Sequence, residues 1–94
     1  DNIDKIQTTT IDAFCEQNSI KPDFIKMDIE GSEIDALLGS KNVIQKYRPR
    51  LAICIYHRLN HRWDIPLLIH RYLPAYRFYL KKSSSYGETV LFAI

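Results

Sequence analysis

The chain has 94 residues, of which 46% are hydrophobic and 26% are charged, and it carries a formal net charge of +2. This is the size and composition of one small globular domain, and it excludes a disordered chain. Residues 1–40 hold nine acidic and three basic side chains, whereas residues 41–94 hold two and ten. The basic side chains form no continuous run, so we expect no nucleic-acid partner. No stretch approaches the ~20 apolar residues of a membrane span, so we expect no membrane association.

The first half of the chain predicts a short strand, a helix and a second strand. The first strand is expected over residues 3–8, and the helix should begin at a cap on Thr9 or Thr10 and end at Asn18. Residues 24–29 read as a strand because apolar side chains recur there between two turn signals.

The second half predicts two further helices and three strands. A single long helix is expected from a cap at Ser32 to the stop at Pro49, followed by a buried strand over residues 51–56. Asp64 is expected to cap the next helix. Two strands close the chain, over residues 76–81 and 88–94.

The predicted fold class is α/β. The strands at residues 24–29 and 51–56 are joined by a helix, so they should be parallel with a right-handed crossover. The last two strands are joined by a loop too short for a helix, so they should form an antiparallel β-hairpin. Because such a small sheet leaves an edge exposed, we expect that edge to favour a homodimer.

Polar side chains follow both of the parallel strands. Asp28, Glu30 and Gly31 close the first strand, and His57 and Arg58 close the second. Ligands bind beyond the carboxyl ends of parallel strands, and neighbouring strands lie about 4.8 Å apart. We therefore expect these residues to face one crevice, although each also has a structural alternative, such as a carboxylate bonded to loop backbone or a surface histidine.

Several chemistries are disfavoured by what the sequence contains. With three glycines and no G-x-G-x-x-G pattern, the chain carries no phosphate-cradling loop. A hard-metal site on Asp28, Glu30 and His57 would make the protein a metal-dependent hydrolase, but two carboxylates and one histidine are too common a set, so no metal is predicted. A second alternative is a non-catalytic, truncated α/β module that self-associates.

Three segments resemble the FkbM-type S-adenosylmethionine (SAM)-dependent methyltransferases in order and spacing. They are the Thr-Thr-Ile-Asp-Ala-Phe segment at 9–14, the segment at 22–33 with its Lys-x-Asp-x-Glu-Gly phrase, and the Arg-Pro strand at 48–57. The ending at residues 63–66, 76–80 and 88–92 is similar to the family as well. The resemblance thus covers nearly the whole chain.

The resemblance implies that residues 1–94 form the C-terminal half of a methyltransferase domain with a Rossmann-like sheet, whose N-terminal, cofactor-loop half is missing. It implies SAM as methyl donor and a hydroxyl of a sugar or other natural product as acceptor, in the cytoplasm, with this fragment inactive by itself. By the same resemblance, Asp28 is the first candidate base and His57 the second, and the cofactor contacts are Asp28, Glu30 and Gly31. Arg58, His61 and Arg62 are expected to bind an acidic acceptor.

Overall fold

The computed structural model describes residues 8–82 and 87–94, which form a four-stranded sheet with helices packed on one face. The helices are α1 (Ile11–Gln17), α2 (Glu33–Leu38), α3 (Lys41–Tyr47) and α4 (His61–Tyr72), and the strands are β1 (Phe24–Met27), β2 (Arg50–Cys54), β3 (Phe78–Lys82) and β4 (Thr89–Ala93). The strand expected over residues 3–8 lies almost entirely outside the described residues. Within the described part of the chain, no helix is both long and apolar enough to cross a bilayer.

The sheet combines one parallel pair of strands with two antiparallel pairs. β1 runs parallel to β2, β4 runs antiparallel to β2, and β3 pairs antiparallel with β4. The strand order is therefore β1-β2-β4-β3, with the last strand inserted between β2 and β3. This confirms the predicted α/β sheet of parallel strands that ends in an antiparallel hairpin.

The hydrophobic core lies between one face of the sheet and the four helices. Ile25 and Met27 alternate with exposed neighbours along β1, whereas every residue of β2 after Arg50 is buried, as a central strand requires. The helices contribute the remaining apolar core, which includes Cys15, Leu37, Val43, Ile44, Ile65, Ile69 and Tyr72. This core anchors both β1 and β2, so the ends of these two strands are held in a defined relation.

The opposite face of the sheet is less covered. The strand registers align Lys26, Ala52, Phe92 and Tyr79 across this face, and Tyr79 is 52% exposed. Among the strands of the described residues, β1 also lies at an edge of the sheet. The homodimer expected through an exposed edge stays a prediction.

The prediction of a single helix between Ser32 and Pro49 is wrong. The segment forms two helices, which are separated by Gly39 and Ser40. A Cβ atom on Gly39 would lie 2.9 Å from Cβ of Thr10, so the glycine lets the start of α1 pack against this break. Asp12 of α1 then accepts hydrogen bonds from the backbone amides of Asn42 (3.0 Å) and Val43 (2.9 Å). A carboxylate thirty residues away thus caps α3, which local sequence patterns do not reveal.

The start of α4 also differs from the prediction. The helix begins at His61, three residues before the predicted cap Asp64, and Asn60 occupies the N-cap position. Asp64 lies in the first turn instead, where its carboxylate accepts a hydrogen bond of 2.9 Å from the side-chain amide of Asn60. This earlier start places His61 inside the helix, directly behind the carboxyl end of β2.

Candidate functional site

A sharp turn after β1 is organised by one buried carboxylate. Glu30 and Gly31 both have positive φ angles, of 56° and 101°. Glu33 is fully buried and holds this turn, because its Oε2 accepts a hydrogen bond from the amide of Ile29 (2.9 Å) and its Oε1 accepts one from the amide of Gly31 (3.0 Å). The turn directs the side chains of Asp28 and Glu30 towards the end of β2.

His57, just after β2, lies among three carboxylates. Its Nε2 is 3.4 Å from Oδ1 of Asp28 and 3.7 Å from Oε2 of Glu30, and its Nδ1 is 3.1 Å from Oε2 of Glu33. The imidazole is 11% exposed, whereas the side chains of Asp28 and Glu30 are 49% and 88% exposed. Asp28, Glu30 and His57, which sequence analysis assigned to one crevice, therefore do meet.

The Asp28 carboxylate contributes to raised pKa values at two neighbouring side chains, Cys54 and Tyr56. Burial, and then the Asp28 carboxylate, raises the pKa of the Cys54 thiol to about 11. The same two causes, in the same order, raise the pKa of the Tyr56 phenol above its usual value. The Tyr56 hydroxyl donates a long hydrogen bond of 3.5 Å to Oδ1 of Asp28. Both groups therefore stay neutral at physiological pH.

Arg58 closes one side of the site. Its guanidinium Nε donates a hydrogen bond of 3.0 Å to the carbonyl oxygen of Gly31. A Cβ atom on Gly31 would lie 2.9 Å from that Nε. The glycine is thus required both by its positive φ and by the close approach of Arg58. The predicted contact of Gly31 with a cofactor stays a prediction.

The other two predicted acceptor-binding residues are placed differently from each other. The His61 side chain is 2% exposed, and its Nδ1 lies 3.7 Å from Oε1 of Glu33. It therefore lies behind the crevice, where it supports Glu33 instead of facing an acceptor. Arg62, the second residue of α4, is exposed. Of the three predicted acceptor-binding residues, the two arginines are exposed and His61 is buried.

Glu33 is the site residue that sequence analysis missed. An acid in the first turn of a helix is favoured by the helix dipole, yet the Glu33 side chain folds back onto the preceding loop. A ligand atom from each of Asp28, Glu33 and His57 lies within 4.8 Å of the other two. The sequence-based metal set contained Glu30 in place of Glu33. A capping box from the N-cap Ser32 would point to Asp35 three residues on, so no capping signal in the sequence identifies Glu33.

A groove extends from the crevice between α2 and α4. Gly31, Arg58 and His61 line it at the crevice end, and its volume of about 460 Å³ falls in the range of small-molecule sites. Further along, the exposed side chains of Leu38 and Leu67 line its walls. The site therefore consists of an acidic crevice at the strand ends and an adjoining, partly apolar groove.

Comparisons with known proteins agree with this architecture. A crystal structure of an FkbM methyltransferase from Methylobacillus flagellatus KT, at 2.20 Å resolution, is similar with a TM-score of 0.75 and 39% sequence identity over 79% of this chain. The match spans only 20% of that protein's chain. No protein with a curated description matches the chain. The family model described as the methyltransferase FkbM domain matches residues 1–87, so the chain belongs to the FkbM methyltransferase family.

Proposed function

We propose that this chain supplies the acceptor-activating part of a SAM-dependent O-methyltransferase. The observation that carries the proposal is the Asp28 carboxylate, half exposed and held 3.4 Å from His57 at the carboxyl ends of two adjacent parallel strands. Membership of the FkbM methyltransferase family supports methyl transfer as the reaction. The proposed acceptor is a hydroxyl of a sugar or other natural product, and the proposed location is the cytoplasm.

The charges of the crevice fit a cationic methyl donor. When bound, SAM supplies an electrophilic methyl group on a positively charged sulfonium. The carboxylates of Asp28 and Glu30 project into the crevice with side-chain exposures of 49% and 88%, so they offer negative charge and hydrogen-bond acceptors to such a molecule. The chain spans one fifth of the similar FkbM protein. We therefore propose that the rest of a longer protein holds most of the cofactor.

Asp28 is the proposed general base. An alcohol must lose its proton as its oxygen attacks a methyl group, and a positioned carboxylate accepts that proton. Asp28 is accessible to an acceptor, whereas His57 is largely covered. The imidazole Nε2 instead faces Oδ1 of Asp28 and fixes the direction of the carboxylate, so His57 is a positioning residue.

The arginines give the site a preference among acceptors. Arg58 is fixed at the rim by its bond to Gly31, and Arg62 lies exposed four residues further along. We expect acceptors with an acidic group to bind there. Replacement of Arg58 and Arg62 in the longer protein should raise the KM of an acidic acceptor, and an unchanged KM would contradict this assignment.

The proposed division of the cofactor site is tested by calorimetric titration of SAM. We expect no detectable heat with the 94-residue chain and clear binding with the longer protein that includes it. In the longer protein, the variant Asp28→Asn should weaken SAM binding, because it removes negative charge from the crevice, and should lower kcat at saturating SAM by about 10²–10⁴-fold, the usual contribution of a general base. The matched variant Asp23→Asn, on an exposed residue before β1 and away from the crevice, should keep both SAM affinity and kcat. If Asp28→Asn retains full kcat, Asp28 is not the base.

A further inference from the structure

Among residues 8–82 and 87–94, the three carboxylates around His57 form ion pairs within 4.0 Å with His57 and His61 and with no arginine or lysine. Arg58, next to His57 in the sequence, donates to a backbone carbonyl instead. Even with a protonated His57, the cluster of Asp28, Glu30 and Glu33 keeps an excess of negative charge. Such a cluster has a strong electrostatic preference for a cation.

A second observation is independent of this charge. The Nδ1 atoms of His57 and His61 are buried and have no hydrogen-bond partner. The His61 side chain is 98% buried, since only 2% of it is exposed, and its Nδ1 is directed at Glu33 from 3.7 Å. Buried polar atoms are almost always satisfied, and orphaned ones in native structures point to a ligand or a functional role.

The spacing of the side chains is that of a coordination shell. Ligands bonded at about 2.1 Å from a metal ion lie about 3 Å apart when adjacent and about 4.2 Å apart when opposite. The contacts of His57 Nε2 with Asp28 (3.4 Å) and of His57 Nδ1 with Glu33 (3.1 Å) use different nitrogens of the imidazole, and only one of them can bind a given ion. One ligand atom from each residue lies within 4.8 Å of the other two, so side-chain shifts of roughly half an ångström or more bring all three onto one ion.

We propose that Asp28, Glu33 and His57 bind one divalent transition-metal cation. A set of one imidazole and two carboxylates suits Mn²⁺, Fe²⁺ or Zn²⁺ better than Ca²⁺, which prefers oxygen ligands alone. Glu33 is held in place by the amides of Ile29 and Gly31. His61, behind it, is positioned to act as the outer-shell partner that orients a ligating carboxylate.

The chemical role of the cation rests on the proposed methyl transfer, whereas its binding does not. An acceptor hydroxyl that bonds to the cation becomes more acidic, because the cation stabilises the alkoxide. With Oδ1 of Asp28 on the cation, Oδ2 is left to take the proton: the acceptor O–H bond breaks and an O–H bond forms on Oδ2. The cation thus acts by making the acceptor hydroxyl more acidic, and Asp28 remains the base.

The direct test is titration of Mn²⁺ into the metal-free chain, followed by electron paramagnetic resonance of the free ion. We expect one Mn²⁺ per chain, and Asp28→Asn and His57→Gln should each weaken binding by at least about 10–100-fold, the usual cost of losing even an outer-shell partner. Asp35→Asn removes the same charge from a nearby exposed position and should leave the affinity within about twofold, as for an exposed charge in high dielectric. Equal losses in Asp28→Asn and Asp35→Asn would show non-specific attraction and overturn the site.

A measurement on the unmodified chain tests the metal site even if the variants fail to fold. Electron spin-echo modulation from ¹⁴N should appear in the Mn²⁺ complex, because an imidazole nitrogen is bonded to the ion. Absence of that modulation, or of any binding by Mn²⁺ or Zn²⁺, overturns the proposal. The metal site and the proposed function can fail separately. If the longer protein transfers methyl groups in the presence of a chelator and binds no metal, only the metal site is refuted. If it binds metal but transfers no methyl group, only the proposed reaction is refuted.

Discussion

The variant Glu33→Gln tests whether one buried carboxylate holds the site together. The carboxylate accepts two backbone hydrogen bonds, from Ile29 at 2.9 Å and from Gly31 at 3.0 Å. An amide keeps one acceptor oxygen, but its NH₂ group must face the other backbone N–H. That donor is then left unsatisfied, and a charge-assisted bond becomes a neutral one.

The magnitude follows from these two changes. A buried donor without a partner costs about 1–3 kcal/mol, and the loss of charge from a hydrogen bond costs about 1 kcal/mol more. Relief of repulsion from Asp28 and Glu30 offsets only a small part, because both side chains are exposed and screened. We therefore expect Glu33→Gln to lower the free energy of unfolding by about 2 kcal/mol, a large fraction of the stability of a small domain.

Urea unfolding followed by far-UV circular dichroism measures this loss. The control is Asp35→Asn, two residues further along the same helix, where the exposed side chain predicts a change of less than about 0.5 kcal/mol. If Glu33→Gln is as stable as this control, Glu33 does not organise the turn, and the assigned geometry of Asp28 and Glu30 loses its support.

Three further predictions concern other parts of the chain. Gly31→Ala should destabilise the fold by about 1–3 kcal/mol, because φ is 101° and the new Cβ would lie 2.9 Å from Nε of Arg58; an unchanged urea midpoint would contradict this. Ile53→Ala should cost about 2–5 kcal/mol in the same assay, since the side chain is fully buried in the central strand, and a loss below 1 kcal/mol, roughly, would mean that the core collapses around the cavity. Stability should also fall as the pH rises from 9.0 to about 11, because the pKa of Cys54 is 9.0 unfolded and about 11 folded, so the unfolded thiol loses its proton first. The same scan with Cys54→Ala should be flatter over this range, and a slope identical to that of the unmodified chain would contradict the raised pKa.

Much of the fold follows from local patterns in the sequence. The apolar run of β2 and the alternation along β1 predict strands of the observed type, and the short connection after β3 correctly requires a hairpin. The predictions are wrong where contacts between residues distant in sequence determine the local structure. The break between α2 and α3 depends on Thr10 packing against Gly39, and the cap of α3 comes from Asp12.

The site could be predicted in part for the same reason. That Asp28 and His57 meet follows from the parallel arrangement of β1 and β2, which brings the carboxyl ends of the strands together. The role of Glu33 does not follow, because an acid in the first turn of a helix is usually exposed. The burial of His61 depends on a helix whose N-cap, Asn60, lies four residues before the predicted cap, Asp64.

The most direct test of the account is transfer of isotope from methyl-labelled SAM to hydroxylated sugars and natural products by the longer protein that includes this chain. We expect labelled methyl ether in at least one acceptor, a loss of most labelling in Asp28→Asn, and full labelling in Asp23→Asn, at an exposed position before β1. Equal labelling by Asp28→Asn and the unmodified protein would contradict the central role of the crevice. No labelling of any hydroxyl, with SAM bound, would contradict O-methyl transfer itself.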